Sequence, residues 1–288
     1  MPADASRLCP LCRSRESRFF LEKNDCRLFT CMTCGLVFID PVPTTTSHLY
    51  VADYFSGAEK GFGYPDYELE KKDMTPTFEK YLDLMEKVSP GKTLLDVGAA
   101  NGFFMARARE RDWEVQGIEI SEYARSEAKK KGLSVFSSFE DISDRHDTFD
   151  VISFLDSIEH VPHPRQDLEK AIALLREGGV LVLNTPDAGS LFARMMGPRW
   201  HLIVPPEHLF LFNRKNMTLL LRELGVEPFY IGTIGKRFSI RYISSIISNH
   251  YPHSRMFKWL AHFLSTHQIG SIALPLNFRH NMFLMARK

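Results

Sequence analysis

Two hydrophobic patterns alternate along the middle of the chain. Short apolar runs, typical of buried strands, occur at 93–97, 114–119, 135–136, 150–154 and 180–185. Between them, apolar residues recur every three or four positions, which predicts amphipathic helices. Strands that alternate with helices through short links favour a parallel sheet covered on both faces.

The last part of the chain adds two strands and an insert. We predict strands at 229–234 and 282–286, which brings the sheet to seven strands. The insert, 235–277, carries two apolar stripes at helical spacing, so we expect it to be helical. The first stripe is Phe238, Tyr242, Ile243, Ile246 and Ile247, and the second is Met256, Phe257, Trp259, Leu260, Phe263 and Leu264. The predicted fold class is therefore α/β, doubly wound and mostly parallel.

All five cysteines lie within residues 9–34. Cys9 and Cys12 form one C-x2-C pair, and Cys31 and Cys34 form a second. Two such pairs can supply four thiolates to a tetrahedral Zn²⁺, as in a zinc ribbon, and a site with four cysteines stabilises structure rather than catalysing a reaction. The alternative is a redox pair. Cys26 is left over as an ordinary side chain.

The sequence thus predicts three regions: a zinc ribbon over 1–45, a linker over 46–75 that mixes glycines with aromatic residues, and an α/β domain over 76–288. Length and composition exclude disordered and low-complexity proteins. A polar N-terminus and the lack of an 18-residue apolar run lead us to expect a cytoplasmic protein.

Charge is balanced overall, at +1, but it is unevenly distributed. No Asp or Glu follows Glu227, whereas Lys and Arg continue to the C-terminus. A basic end suggests an anionic partner: a phosphate-bearing acceptor, a membrane surface contacted through 235–277, or nucleic acid. The alternatives are a solvated basic face and a lid or core role for the apolar stripes. Nucleic acid is disfavoured, because acidic residues partly offset the basic residues of 1–45.

The segment Asp96-Val-Gly98-Ala-Ala100-Asn-Gly102 joins a predicted strand to a predicted helix. Small residues let a ligand approach the backbone, and an acidic residue at the end of the next strand, Glu119, can accept hydrogen bonds from ribose hydroxyls. The loop lacks the G-x-G-x-x-G pattern of dinucleotide oxidoreductases.

These motifs resemble those of class I S-adenosylmethionine-dependent methyltransferases. The resemblance continues through 117–121, 149–152, 158–164, 174–182 and 206–212, and it covers nearly the whole chain except the insert. The sequence resembles one branch of this family in particular. In that branch a cysteine-pair module often precedes the methyltransferase domain, and the enzymes often serve saccharide or secondary-metabolite pathways. The family usually has Gly at the position of Ala100, and we expect cofactor binding to survive this change.

The resemblance implies roles for individual residues. Gly98, Ala100 and Gly102 would line the methionine part of S-adenosylmethionine, and Asp96 would hold that loop. Glu119 would bind the ribose hydroxyls, with Ile120 beside the adenine. Leu155 and Asp156 follow the fourth strand, where cofactor and acceptor should meet.

Methyl transfer to a hydroxyl also needs a group that removes the acceptor's proton. His160 follows the fourth strand and is the first candidate base, and His208 is the second. Either ring could instead order its loop through a backbone carbonyl. The sequence has no H-x-x-x-H pair with a nearby carboxylate, so we expect no catalytic metal.

We therefore expect an O-methyltransferase that acts on a sugar, glycan or related small metabolite. Carbon methylation of a sugar and methylation of a quinone ring stay open. The alternative is a docking module, in which the zinc ribbon binds nucleic acid or protein and the α/β domain is inactive.

Overall fold

A computed structural model describes residues 8–56, 67–142, 144–240, 243–244 and 254–288. The described strands are β1 Ser17–Lys23, β2 Cys26–Cys31, β3 Val37–Ile39, β4 Thr93–Val97, β5 Glu114–Ile118, β6 Ser134–Phe136, β7 Phe149–Leu155, β8 Leu175–Pro186, β9 Phe210–Leu211, β10 Glu227–Gly232, β11 Lys236–Ser239, β12 Ala273–Leu276 and β13 Asn281–Arg287. The described α-helices are α1 Ala52–Ser56, α2 Tyr67–Asp73, α3 Thr75–Val88, α4 Phe103–Arg109, α5 Glu122–Lys130, α6 Pro164–Leu174, α7 Leu191–Met196, α8 Arg214–Glu223 and α9 Arg255–Thr266.

The main sheet has seven strands in the order β10-β13-β8-β7-β4-β5-β6. The five strands from β8 to β6 are parallel, whereas β13 and β10 are antiparallel to their neighbours. This confirms the predicted α/β sheet. The chain turns away from β4 in both directions, first to β5 and later to β7. A ligand site is expected at such a switch point, outside the carboxyl ends of the strands.

The central strands are buried because helices cover both faces of the sheet. The first six residues of β7 are all buried, as are the last eight of β8. On one face, Tyr81 and Met85 of α3 pack in a cluster with Phe283 of β13. On the other, Leu168 of α6 and Leu220 of α8 belong to a second cluster. This rigid layer fixes where the loops at the carboxyl ends lie.

The N-terminal strands form a smaller antiparallel sheet that is continuous with the larger unit. Its order is β1-β2-β3-β9, and β9 comes from residues far along the chain. Phe38 of β3 and Phe210 of β9 are paired and belong to the same hydrophobic cluster as the core of the main sheet. The cysteine region and the α/β domain therefore share one hydrophobic core across the predicted boundary at residue 45.

The predicted linker, 46–75, contains the short helices α1 and α2 in its described part. Phe55 of α1 is buried against Ala100 and Ala124, and Tyr67 of α2 packs beside it. Aromatic side chains that can be buried against a neighbouring surface favour ordered structure over a free linker. The segment is therefore a cover over the end of the sheet rather than a spacer.

The insert is partly helical, as predicted for its second stripe, which lies on α9. Its first stripe was assigned to a helix, yet Phe238 lies on β11, which pairs with β12 in a two-stranded sheet. Phe238 is paired there with Leu274 of β12, so the helical assignment was wrong at this position. Tyr242, Ile246 and Ile247 lie outside the described residues.

Candidate active site

The loop after β4 has the tight geometry that its small residues suggested. Gly98 has φ +82° and Gly102 has φ +74°, a region that glycine occupies at low cost. A Cβ on Gly98 would lie 2.4 Å from Cβ of Ser157, and one on Gly102 would lie 2.4 Å from a methyl group of Leu133. Both glycines are thus required by close packing behind the loop.

Glu119 ties this loop to the end of β5. Its carboxylate accepts hydrogen bonds from the backbone N–H groups of Ala100 and Ser121, each at 2.8 Å. The side chain is buried, and burial raises its pKa above the usual value. Because each carboxylate oxygen has a second lone pair, Glu119 can still accept further hydrogen bonds from a ligand.

Asp96 and Asn101 are the other polar residues of the loop. Asp96 accepts a hydrogen bond from the Ser153 hydroxyl at 2.6 Å, and burial raises its pKa to about 7. Oδ1 of Asn101 is buried and has no hydrogen-bond partner among the described residues. Buried acceptors are normally satisfied, so an orphaned oxygen at this position fits a ligand that donates a hydrogen bond. The hydrogen-bond acceptors of the loop therefore fit S-adenosylmethionine, which presents hydroxyl and amino groups as donors.

Ala100 departs from the usual glycine, and its backbone shows the consequence. Its φ is +48°, a conformation that costs a residue with a Cβ about 1–2 kcal/mol. The bond from its N–H to Glu119 and its contact with Phe55 hold it there.

Helices α1 and α2, together with the residues just before α1, cover the loop and supply contacts that were not predicted from the sequence. The Ser121 hydroxyl donates to the backbone oxygen of Tyr50 at 2.5 Å, and the Asn101 amide donates to Glu68 at 2.5 Å. Glu68 also pairs with Lys131 at 2.8 Å. The signal for this cover was the density of aromatic residues in 46–75, which we attributed to a linker.

Ile120, Leu155 and Asp156 lie near the same end of the sheet. Ile120 is 43% exposed, so it is open to contact with a ligand. Asp156 accepts hydrogen bonds from Lys236 at 2.5 Å and from Asn184 at 2.6 Å. Burial raises the pKa of Asp156, but Lys236, Lys71 and Asn184 together outweigh burial and hold it below the usual value.

His160 and His208, the two predicted bases, face each other, with ring centroids 4.8 Å apart. Nδ1 of His160 lies 2.8 Å from the backbone oxygen of Glu207, and Nδ1 of His208 lies 2.7 Å from that of Leu202. Since a carbonyl oxygen only accepts, each ring carries its hydrogen on Nδ1 and keeps a lone pair on Nε2. Burial lowers the pKa of His160 to about 4 and that of His208 to about 3. Both rings are therefore neutral at pH 7.

Glu159 completes this group and was missed as a functional residue. Its side chain is 1% exposed, Oε2 accepts from the Thr185 hydroxyl at 2.8 Å, and Oε1 lies 4.0 Å from Nε2 of His160. Burial, together with the charge of Asp156, raises the pKa of Glu159 to about 8. We call Glu159, His160 and His208 the EHH cluster.

The four cysteines of the two C-x2-C pairs converge in the N-terminal sheet. The Sγ atoms of Cys9 and Cys34 are 3.7 Å apart, those of Cys12 and Cys31 are 3.5 Å apart, and all four lie within 4.8 Å of one another. Zn–S bonds of about 2.3 Å in a tetrahedron place sulfur atoms about 3.8 Å apart, so the arrangement fits a metal ion. Cys26 is not part of the group.

Comparison with known proteins identifies the domain. A family model described as "Methyltransferase domain" matches residues 71–229, more than half of the chain. The chain belongs to this methyltransferase family. Two solved structures share its fold: an S-adenosylmethionine-dependent methyltransferase from Archaeoglobus fulgidus (TM-score 0.51, 14% identity, 74% of this chain and 93% of that one) and the YcgJ protein of Bacillus subtilis (TM-score 0.50, 16% identity, 73% and 98%).

The methyltransferase is also similar to curated relatives that carry the name ubiquinone biosynthesis O-methyltransferase. The protein from Saccharophagus degradans is 26% identical over 170 residues, which are 54% of this chain and 71% of that protein. The protein from Haemophilus ducreyi is 32% identical over 107 residues, which are 33% and 45%. Several others are likewise matched over only about half of their length.

These findings establish an S-adenosylmethionine-dependent methyltransferase and favour the enzyme over the docking-module alternative. Within the part of the chain that the structure describes, no helix combines the length and apolar character needed to cross a membrane.

Proposed function

We propose that this enzyme transfers a methyl group from S-adenosylmethionine to a hydroxyl of a sugar, a glycan or a related small metabolite. One observation carries the proposal: the loop after β4, residues 98–102, which we call the cofactor loop, and the EHH cluster meet at the carboxyl ends of β4 and β7. The Ser157 hydroxyl, between them, donates to the backbone oxygen of Val97 at 2.6 Å. Methyl donor and proton-handling groups would thus lie on adjacent strand ends.

The loop residues would hold the cofactor. Glu119 would accept the ribose hydroxyls, Gly98, Ala100 and Gly102 would border the methionine part, and Asp96 fixes the loop through Ser153. When bound, S-adenosylmethionine supplies a methyl group on a positively charged sulfur. The protein's own contribution is position: alignment of two reacting groups supplies roughly 7–11 kcal/mol of a barrier.

The EHH cluster would receive the acceptor hydroxyl. Each histidine presents a neutral Nε2, and a lone pair there can take the hydroxyl proton, as predicted from the sequence, or can bind a cation that activates the hydroxyl. Oxygen, rather than nitrogen, is supported as the acceptor atom by the curated relatives, which are named as O-methyltransferases.

The C-terminal region would meet an anionic part of the acceptor, such as a phosphate. Arg255 and Arg279 are exposed, and Lys236 reaches the site through its bond to Asp156. On α9, Met256 and Trp259 are each 64% exposed, so the insert offers both cations and apolar surface. A phosphate-bearing glycan carrier or an anionic membrane surface shares this chemistry.

The cysteine cluster would hold a structural Zn²⁺. Its four sulfur atoms leave no open coordination position, so we assign it no step in the reaction. It would anchor the N-terminal sheet and, through β9, the loop that carries His208.

The test is a product assay with the full chain. The enzyme is incubated with S-adenosylmethionine carrying a labelled methyl group and a panel of nucleotide sugars, free sugars and dihydroxybenzenes, and products are analysed by mass spectrometry and NMR. We expect a methyl ether on one class of acceptor. A product methylated on nitrogen or carbon would contradict the proposal.

Calorimetric titration with S-adenosylmethionine is run on the same sample. A folded, zinc-loaded chain that binds no cofactor would overturn the cofactor assignment of the loop. Glu122→Ala, at an exposed position next to the site, is the matched control and should bind the cofactor as the parent enzyme does.

A further inference from the structure

We propose that the EHH cluster binds one divalent cation, separate from the cysteine cluster, and that this cation binds the acceptor oxygen. The second half of the proposal rests on the proposed function. No catalytic metal was expected from the sequence, because it lacks two histidines four positions apart with a carboxylate nearby. The fold instead brings His208 from a distant loop to the neighbouring pair Glu159 and His160.

The donor atoms are close enough for a common ion. One ligand atom from each of Glu159, His160 and His208 lies within 4.8 Å of the other two. An ion bound at about 2.0–2.2 Å to nitrogen and oxygen holds its ligands about 3–4.3 Å apart, so a small contraction suffices.

Both histidines are oriented as metal ligands usually are. A ligating imidazole commonly donates its other ring N–H to a carbonyl or carboxylate, which fixes the tautomer and aims the free nitrogen. His160 and His208 make this bond to Glu207 and Leu202, at 2.8 Å and 2.7 Å. Among the described residues, none hydrogen-bonds to Nε2 of either ring.

Glu159 is also held in place and lacks a compensating charge. Thr185 orients the carboxylate through Oε2, which leaves Oε1 facing His160. Within the described chain, no Lys or Arg lies within ion-pair distance of Glu159, because the nearby Lys236 pairs with Asp156. An unpaired buried carboxylate is costly, and a cation at this point would remove that cost.

The ligand set indicates the class of ion. Two imidazoles and one carboxylate suit Zn²⁺, Mn²⁺, Fe²⁺ or Co²⁺, and three protein ligands leave open positions for a substrate oxygen. The cysteine cluster, with four thiolates, prefers Zn²⁺ strongly over Mn²⁺. The two sites can therefore be loaded with different metals.

The cation would replace a base in the reaction. A hydroxyl bound to a divalent cation loses its proton more readily, here to water. The acceptor oxygen then forms a bond to the methyl carbon while the carbon–sulfur bond breaks, and the electron pair of that bond stays on sulfur. His160 and His208 thus act as ligands rather than as proton acceptors.

The experiment is a Mn²⁺ titration followed by electron paramagnetic resonance. Metal-free full-length enzyme is first reloaded with one equivalent of Zn²⁺, which the thiolates take. We expect a single saturable Mn²⁺ site in the parent enzyme, and at least about 10-fold weaker binding in Glu159→Gln and in His208→Gln. His163→Gln, at an exposed histidine of the same loop, should bind Mn²⁺ normally.

A variant that keeps all three ligands tests whether weaker Mn²⁺ binding comes from a change at the site rather than from misfolding. Thr185→Val removes the hydroxyl that orients Glu159, and we expect Mn²⁺ binding to weaken by about 10–100-fold. Melting temperatures of all variants are measured alongside. Absence of a saturable Mn²⁺ site in the folded enzyme, or equal affinity in the parent, Glu159→Gln and His208→Gln, would overturn the proposal.

Failure of this proposal can be told apart from failure of the proposed function. Methyl transfer at an equal rate with and without added divalent cation, in protein shown to lack metal at the EHH cluster, would remove the cation from the mechanism and leave the function intact. Mn²⁺ binding in a chain that does not bind S-adenosylmethionine would keep the metal site and reject the function.

Discussion

Replacement of Glu119 by Ala tests the link between the cofactor loop and the end of β5. The carboxylate is buried and accepts two backbone N–H bonds, from Ala100 and Ser121. Each donor left without a partner costs about 1–3 kcal/mol, so the free energy of unfolding should fall by about 2–6 kcal/mol. A domain stable by about 5–15 kcal/mol can survive the lower part of this range.

Cofactor affinity should fall further than stability alone explains. Two ribose hydroxyls bonded to a charged acceptor contribute about 1.5–3 kcal/mol each, which predicts a dissociation constant about 10²–10⁴-fold higher. Glu119→Gln keeps one carbonyl acceptor but sets its NH₂ group against a backbone N–H. We therefore expect Glu119→Gln to lose less stability than Glu119→Ala. Its affinity for the cofactor should still be clearly lower than that of the parent enzyme.

The assay is calorimetric titration with S-adenosylmethionine, with the melting temperature recorded for each variant. Glu122→Ala controls for the loss of a negative charge at the start of α5, because its side chain points to solvent. If Glu119→Ala is folded and binds the cofactor within twofold of the parent enzyme, the assignment of Glu119 to the ribose is wrong.

Three further predictions address other parts of the molecule. Cys12→Ala should lose its Zn²⁺ and melt at a lower temperature, whereas Cys26→Ala should keep one Zn²⁺ per chain by elemental analysis; equal zinc content would contradict the cysteine assignment. Phe55→Ala should weaken cofactor binding at least tenfold in calorimetry, because α1 loses its hold on Ala100; an unchanged affinity would reject the cover. Burial raises the pKa of Asp96 to about 7, so its contribution to folding is full below pH 4 and is lost as pH rises towards 7. The stability of Asp96→Asn relative to the parent enzyme should therefore increase from pH 5 to pH 8 in denaturant titrations, and a difference independent of pH would refute it.

The local pattern of the chain was enough to predict most of the main sheet. Strands such as β4 and β7 are buried on both faces, and their sequences are mostly apolar runs. Antiparallel β13 lies between β8 and β10. Local periodicity predicts that β13 is a strand, but it does not predict this position in the sheet. Strand order depends on contacts between distant residues, and the sequence of one strand does not name its partner.

The cover over the cofactor loop shows a second limit. Glycines and aromatic residues mixed in 46–75 suggested a linker, because the segment has no long helical period. Its short helices gain stability from burial of Phe55 and Tyr67 against Ala100 and Tyr123 rather than from their own propensity. Short helices depend on such tertiary contacts, so a pattern search over one segment does not detect them.

The EHH cluster shows why the sequence identified two histidines as candidates but did not reveal that they lie next to each other and next to Glu159. His160 and His208 were each considered singly as a base, and the choice for each lay between base and scaffold. In the fold, the same Nδ1 bond that a scaffold role requires also leaves Nε2 free, and Nε2 of His160 lies 4.0 Å from Oε1 of Glu159. Scaffold and chemistry are therefore not alternatives for these residues: the carbonyl bonds hold three donor atoms together, and three converging donors favour binding of a cation over action of a single base.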